Sequence, residues 1–250
     1  MKAVFRTDRG KVRIHNEDQG GIFHKENPQM TFAVIADGMG GHKAGDVASE
    51  MAVSKLKEAW ETELHTDSPD SIESFLEDQI KRVNREIYEH SMTHEECEGM
   101  GTTIVGVVCT SKTATIVNVG DSRCYLLNES GFNQVTEDHS LVNELVRSGQ
   151  ISKEDAAHHP RKNVILRALG TENSVEVDIK TISFEEGDRL LLCSDGLSDK
   201  LSESEIEDII TGDDSLEEIA GTFIEKANQN GGEDNITLVI LLHSFESESR

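Results

Sequence analysis

The chain has 250 residues, 36% of them hydrophobic and 29% charged, which is typical of a globular protein that buries a core without disulfides. Its net charge of −24 argues against binding nucleic acid or an anionic membrane surface, because both require clustered Lys and Arg. The apolar runs are too short to span a bilayer. The charged N-terminus and the widely spaced cysteines predict a cytoplasmic protein with reduced thiols.

Apolar periodicity along the chain predicts an α+β fold. Two strands, Val4–Thr7 and Phe32–Ala36, precede two helices, Asp46–Leu64 and Ser71–His94. Seven more strands are predicted at Thr103–Cys109, Thr113–Val119, Arg123–Asn128, Phe132–Val135, Val175–Phe184, Arg189–Cys193 and Ile236–Leu242. Further helices are predicted near Leu141–Val146, near Ser152–Ala157, and after Ser-x-x-Glu capping boxes at Ser202 and Ser215. This order lacks strict βαβ alternation, so we expect antiparallel sheets with helices grouped on their faces.

Four aspartates lie where apolar strands begin or end, each with glycine nearby: Asp37, Asp121, Asp195 and Asp234. A turn is the ordinary explanation for one such residue, but four together favour a shared site. If their side chains converge, repulsion among the carboxylates requires cations, and all-oxygen ligation favours Mg²⁺ or Mn²⁺. Calcium storage is the competing interpretation, although the chain lacks the EF-hand loop pattern.

The glycine-rich segment from Asp37 to Gly45 resembles part of a nucleotide-binding loop. A Walker A motif needs Lys where Asp46 stands, and a dinucleotide fingerprint needs a third glycine where Lys43 stands. Neither motif is complete. We therefore interpret this segment as a strand end leading into a helix, with Asp37 placed on a metal.

A few basic and histidine side chains are candidates for phosphate chemistry. Arg13 is either a bidentate phosphate clamp or an ordinary surface arginine. His42 is either a donor of a proton to a leaving group or a histidine at a helix start. Three other histidines lie in a polar segment and are expected to be solvated: His139, His158 and His159.

Six short motifs span nearly the whole chain: Arg13-x-x-Asn16-Glu17-Asp18, Asp37-Gly-Met-Gly-Gly41-His42-x-x-Gly45, Gly101-Thr102-Thr103, Gly120-Asp121-Ser122-Arg123, Ser194-Asp195-Gly196-Leu197 and Glu233-Asp234-Asn235. In this order they resemble the metal-dependent Ser/Thr protein phosphatases of the 2C type, in their stand-alone bacterial form. The resemblance implies a four-layer α/β/β/α sandwich with two central antiparallel sheets and two metal ions, Mn²⁺ or Mg²⁺, at one end.

By position in the family motifs, Asp37 would bridge both core ions and Gly38 would bind one of them through its carbonyl. Asp195 and Asp234 would complete the other ion's ligands. A third, weaker ion is often present in bacterial members, and Asp121 would help to bind it, with Asp195 shared.

The resemblance also assigns roles around the metals. Glu17 and Asp18 would hold metal-bound water, and Arg13 would grip the substrate phosphate. The segment 138–161 would be a mobile flap within a single catalytic domain covering residues 1–250. Some eukaryotic members place a catalytic histidine directly after Asp-Gly; Met39 stands there, so either His42 or a metal-bound water takes that role.

The implied function is hydrolysis of phosphoserine and phosphothreonine in proteins by a metal-bridging hydroxide. The expected partners are phosphorylated proteins, among them a cognate Ser/Thr kinase, and the expected state is a monomer. Nucleic-acid binding and membrane insertion are not expected. Two alternatives are a catalytically dead scaffolding domain and a hydrolase of small phosphate esters; relative rates on phosphoproteins and metabolite esters discriminate the second.

Overall fold

Two antiparallel sheets form the centre of the computed structural model, which describes residues 1–41 and 44–244. The first sheet has the order β1-β11-β10-β7-β8, with strands Lys2–Asp8, Ile236–Leu242, Arg189–Cys193, Arg123–Asn128 and Gly131–Gln134. The second sheet has the order β2-β3-β5-β6-β9, with strands Asp18–Glu26, Gln29–Met39, Ile104–Cys109, Thr113–Val119 and Asp178–Ser183. A short strand, β4 at Gly101–Thr102, pairs with the end of β3.

Helices cover the outer face of each sheet. Helices α1 (Ala44–Thr62) and α2 (Pro69–Thr93) pack on the second sheet, and a 3₁₀ turn at Glu95–Cys97 follows them. Helices α5, α6 and α7 pack on the first sheet and cover Asp195–Ser198, Glu203–Ile210 and Leu216–Gln229. Two short helices, α3 at Leu141–Arg147 and α4 at Lys153–Ala157, lie in the segment 138–161.

The amphipathic pattern of α2 shows why the sequence folds into these layers. Ser68 caps the helix by accepting a hydrogen bond from the backbone N–H of Ser71, and Pro69 occupies the first turn. Apolar side chains at helical spacing are then completely buried against the sheet: Ile72, Leu76, Ile80, Val83 and Ile87.

Strand β3 separates two apolar layers because successive side chains point to opposite faces. Phe32 and Val34 pack toward the helical layer of α1 and α2, whereas Ala33 and Ile35 pack between the two sheets. Asp37 is in phase with Ala33 and Ile35, so the alternation directs its side chain between the sheets at one end of the sandwich. The charged site therefore begins where the apolar inter-sheet layer ends.

The predicted α/β/β/α sandwich is confirmed, and most predicted elements are found within a few residues of their expected bounds. Several differences occur. Strands β2 and β4, the 3₁₀ turn and helix α5 are additions, Asp37 lies inside β3 rather than after it, and β9 begins at Asp178 rather than Val175. The four cysteines are free and buried. Across residues 1–41 and 44–244, no helix is long and apolar enough to cross a membrane.

Candidate active site

Five aspartates come together at one end of the two sheets: Asp18, Asp37, Asp121, Asp195 and Asp234. Asp18 and Asp37 are direct cross-strand partners in β2 and β3. Asp121 follows β6, Asp195 follows β10, and Asp234 precedes β11. Because β10 and β11 are antiparallel, with Cys193 opposite Leu238, the end of one strand meets the start of the other. The four predicted aspartates and Asp18 thus form a single cluster, here called the carboxylate end.

Burial and neighbouring negative charge raise the pKa of Asp18, Asp37, Asp121 and Asp195. Burial and the charges of neighbouring carboxylates raise the pKa of Asp18 to about 7, although hydrogen bonds to its carboxylate oppose the shift. Burial and neighbouring carboxylates also raise the pKa of Asp121 to about 7 and that of Asp195 to about 6. Asp37 faces all four of the others, and burial first, then their charges, raise its pKa well above the ordinary value. The cluster therefore needs protons or cations to be stable.

Threonines at the start of β5 hold the backbone of Asp37. The Thr103 N–H donates to the Asp37 carbonyl at 2.8 Å, and the Asp37 N–H donates to Thr103 Oγ1 at 3.1 Å. Thr102 Oγ1 donates to the same carbonyl at 2.9 Å. Thr103 Oγ1 also lies 2.7 Å from Ser122 Oγ, next to Asp121. The Gly-Thr-Thr motif thus positions Asp37 and ties it to the turn that carries Asp121.

Glycines let the start of α1 pack directly on the end of β3. A Cβ on Gly38 would lie 2.0 Å from the carbonyl oxygen of Gly45, and a Cβ on Gly45 would lie 2.9 Å from the Glu17 carboxyl group. The Gly38 N–H donates to the Glu17 carbonyl at 3.1 Å, and Ser49 Oγ donates to it at 2.6 Å. This close approach keeps Gly38 and Glu17 beside the carboxylate end.

Asn235 organises the site, although the sequence offered it only as part of a motif. Its buried side chain accepts from the Glu17 N–H at 2.7 Å and donates to the carbonyls of Arg9 and His15 at 2.9 and 3.0 Å. These three bonds fix the loop that carries Arg13 against the start of β11. The signal that could have found this role is the asparagine directly after Asp234, since an amide can satisfy several backbone groups at once.

Ser194 is a second residue whose role the sequence did not reveal. Its completely buried hydroxyl donates to Asp18 Oδ2 at 2.8 Å and accepts from the Thr237 N–H at 3.0 Å. Because Asp18 belongs to the second sheet and Ser194 to the first, this bond connects the two sheets at the carboxylate end.

Arg13 lies at the rim of the carboxylate end. Its Nη2 donates to Asp234 Oδ2 at 2.7 Å, and its Nη1 lies 3.8 Å from Glu17 Oε2. The side chain is 47% exposed, so donors that face solvent remain on its guanidinium.

The histidines singled out in the sequence have different outcomes: His158 is exposed, as predicted, and His159 is half-buried. His42 lies outside the described residues. The expectation that His139 is solvated is wrong: its side chain is only 9% exposed and is enclosed by Gly120, Arg167 and Asp178. Sequence reasoning missed this because polar neighbours suggested an exposed loop.

The donor set at the carboxylate end fits a hard divalent cation. Within residues 1–41 and 44–244, the Oδ1 atoms of Asp121 and Asp195 are buried without a hydrogen-bond partner, and so is Oδ1 of Asp46 in α1. Among the described residues, no three His, Cys, Asp or Glu side chains already converge on one cation position. Asp18 and Asp234 instead direct oxygens toward Ser194 and Arg13. These oxygens are the ligands that Mg²⁺ and Mn²⁺ prefer.

A model of the protein phosphatase 2C family matches residues 8–235. The chain belongs to the protein phosphatase 2C family. It is 50% identical to the serine/threonine phosphatase stp of Listeria welshimeri over 250 residues, which is 100% of this chain and 99% of that protein. It is a protein serine/threonine phosphatase, and it acts on phosphorylated proteins.

Solved structures agree with this assignment. The serine/threonine phosphatase Stp1 of Staphylococcus aureus matches with a TM-score of 0.91 and 38% identity, over 96% of this chain and 94% of that one. The catalytic domain of the phosphatase PstP in complex with two manganese ions matches with a TM-score of 0.83 and 34% identity, over 96% of both chains.

Proposed function

We propose that this phosphatase is metal-dependent and hydrolyses phosphoserine and phosphothreonine in one step, without a phosphoenzyme. The observation that carries the proposal is the carboxylate end itself, where five aspartates meet and two of them, Asp121 and Asp195, have buried oxygens without a partner. A protein gains nothing in stability from such a cluster alone, since each carboxylate raises the pKa of the others. Divalent cations remove that cost, and PstP, similar in fold, holds two manganese ions.

The assignment of ligands follows the family motifs and the positions described above. Asp37, which faces the other four aspartates, would be the ligand shared by two ions, and the Gly38 carbonyl would bind one of them. Asp195 and Asp234 would hold the other ion. Asp121 and Asp195 would bind a third ion. Two more carboxylates, Glu17 and Asp18, would hold coordinated water or join the ligands directly.

When bound, two divalent cations lower the pKa of a shared water, so that a nucleophile is present at neutral pH. Arg13 has donors free of Asp234, and these hold the phosphoryl oxygens of the substrate. Hydrolysis would form a bond from a water oxygen to phosphorus and break the bond to the serine or threonine oxygen, which would take a proton. His42 and a metal-bound water are the candidate donors of that proton.

We also propose that the chain acts as a single catalytic domain and as a monomer, in the cytoplasm. The segment 138–161 acts as a flap that contributes to substrate choice. A Ser/Thr kinase is the expected opposing enzyme and a substrate in its own right.

The test compares hydrolysis of a phosphothreonine peptide with and without Mn²⁺, for the wild type and Asp37→Asn. Removing either the ion or the carboxylate is expected to lower the rate by at least ~100-fold, which corresponds to about 2.7 kcal/mol of transition-state stabilisation. Asp213→Asn is the matched control, since this aspartate is exposed and remote in sequence from the motifs. Free phosphoserine is the second substrate.

Wild-type turnover that is insensitive to both chelation and Asp37→Asn would contradict the proposal. Faster hydrolysis of free phosphoserine than of the peptide would contradict the protein substrate and favour a small-ester hydrolase. No turnover of any phosphopeptide with metal would favour a scaffolding domain.

A further inference from the structure

His139 connects the segment 138–161 to the turn that carries Asp121. The His139 backbone N–H donates to the Gly120 carbonyl at 2.9 Å, and the Gly120 N–H donates to Nδ1 of the His139 ring at 3.0 Å. One residue thus satisfies both backbone groups of Gly120. The carboxylate of Asp121 follows immediately in the chain.

The other ring nitrogen faces a charged pair. Nε2 lies 3.2 Å from Asp178 Oδ2 and 3.1 Å from Arg167 Nη1, which also donates to Asp178 Oδ1 at 2.8 Å. Because Nδ1 accepts from the Gly120 N–H, the proton of the neutral ring resides on Nε2. The bond from Gly120 therefore sets the tautomer of the ring.

Gly120 has little freedom to move without moving Asp121. Its φ of +116° is a conformation that glycine adopts most easily, and a Cβ there would lie 2.6 Å from the Thr103 side chain. Thr103 in turn holds the backbone of Asp37. A displacement of Gly120 would therefore reach the carboxylates of both Asp121 and Asp37.

The same histidine forms part of the base of the segment 138–161. Its carbonyl accepts from the Leu166 N–H at 2.8 Å, and the next residue, Ser140, forms an antiparallel bridge with Ile165. The preceding residue, Asp138, accepts from Arg123 Nη2 at 2.7 Å. The start of the segment thus pairs, beside the ring that holds Gly120, with residues that follow the segment's end.

We propose that His139 is a positioning residue, which sets the backbone of Gly120 and so the carboxylate of Asp121, and which couples the segment 138–161 to the cation at Asp121. The inference rests on the proposed function, because that function places the cation there. If His139 only filled a buried space, an acceptor at the position of Nδ1 would not be needed. If His139 positions Gly120, an acceptor there is required.

The test uses the different reach of two amides. In His139→Asn, the side-chain oxygen can lie where Nδ1 lies and accept from Gly120, whereas in His139→Gln the amide lies nearer the position of Nε2. Two readouts are used: hydrogen exchange of the Gly120 amide without metal, and calorimetric titration with Mn²⁺. His139→Gln is expected to speed Gly120 exchange at least tenfold and to weaken the weakest Mn²⁺ site by about tenfold, the effect typical of a lost outer-shell partner.

His139→Asn is expected to stay within about threefold of the wild type in both measurements, and the tighter Mn²⁺ sites are expected to be unchanged in both variants. Equal loss in the Asn and Gln variants, together with a lower melting temperature, would overturn the proposal and make His139 a folding residue. Unchanged Mn²⁺ affinity in the Gln variant would also overturn it. If the wild type binds no Mn²⁺, the proposed function fails instead, while Gly120 exchange still reports on the hydrogen bond.

Discussion

The carboxylate end and the segment 138–161 are neighbours built in opposite ways. Every aspartate of the carboxylate end lies on or beside a strand whose hydrogen bonds continue into the sheet, and the backbone of Asp37 makes three hydrogen bonds with Thr102 and Thr103. In the segment beyond Ser140, α3 has no buried residue, and α4 begins with a capping box made within its own first turn. The two regions meet at His139.

This contrast shows how a rigid reaction centre and an adaptable surface can coexist in one domain. Repelling carboxylates stay together only when the backbone around them is already held, so the sheets and the inter-sheet bond from Ser194 to Asp18 must supply that rigidity. A segment stabilised mainly by local caps opens at low cost and leaves the sheets intact. The carboxylate end can then serve the reaction while the segment 138–161 serves the selection of substrates.

Arg13 gives the largest expected effect outside the carboxylates. Arg13→Ala is expected to lower kcat/KM on a phosphothreonine peptide by about 10- to 100-fold, because hydrogen bonds to a charged group contribute roughly 1.5–3 kcal/mol. Lys11→Ala is the matched control, since it removes a cation from the same loop. An equal loss in the two variants would mean that the loop's overall charge matters, rather than the contact made by Arg13.

The stability of the metal-free protein is expected to depend on pH in the opposite sense to that of most acidic proteins. The pKa of Asp18 and that of Asp121 are raised to about 7 by burial and neighbouring charge, from an ordinary value of 3.8. Their contribution to stability is therefore complete below about pH 4 and is lost as the pH rises through about 7.

Thermal melting in EDTA is thus expected to show a lower midpoint at about pH 8 than at about pH 5. Mn²⁺ should raise the midpoint more at the higher pH, because the cation replaces the protons. Asp121→Asn should reduce the difference in EDTA between the melting midpoints at about pH 5 and about pH 8. A melting midpoint in EDTA that does not change with pH would show that the carboxylate end is stable in its charged form without protons or cations.

Two matched cap substitutions give the smallest effect and compare the regions directly. Ser152→Ala and Ser215→Ala each remove a capping box, one from α4 and one from α7, and each costs about 0.5–2 kcal/mol of local helix stability. Because α7 packs Phe223 on the first sheet, Ser215→Ala should lower the melting midpoint by roughly 2–4 °C per kcal/mol.

In Ser152→Ala, the midpoint should move by less than about 1 °C while the amides of α4 exchange faster with solvent. Equal changes in the midpoint for both variants would show that the segment 138–161 unfolds together with the sheets. The contrast between the two regions would then not extend to their stability.

Much of the fold was predictable because the buried side chains of a helix or a strand recur at a regular spacing in the sequence. The helical spacing in α2 and the apolar runs of β10 and β11 gave their elements directly, and Ser202 and Ser215 marked helix starts. Strand β2 was missed since its residues, among them Gly20 and Gly21, form no apolar run. It becomes a strand because β3 offers it a full register of partners.

The sequence by itself determined the layers, most of the strands and the four aspartates at strand ends, since these depend on local periodicity and on motifs. Only the tertiary structure decided that Asp18 faces Asp37, that Asn235 fixes the loop of Arg13, and that His139 is buried against Gly120. Periodicity records which face of an element is buried. The partners a side chain meets there depend on sheet register and stacking, which bring together residues far apart in the chain.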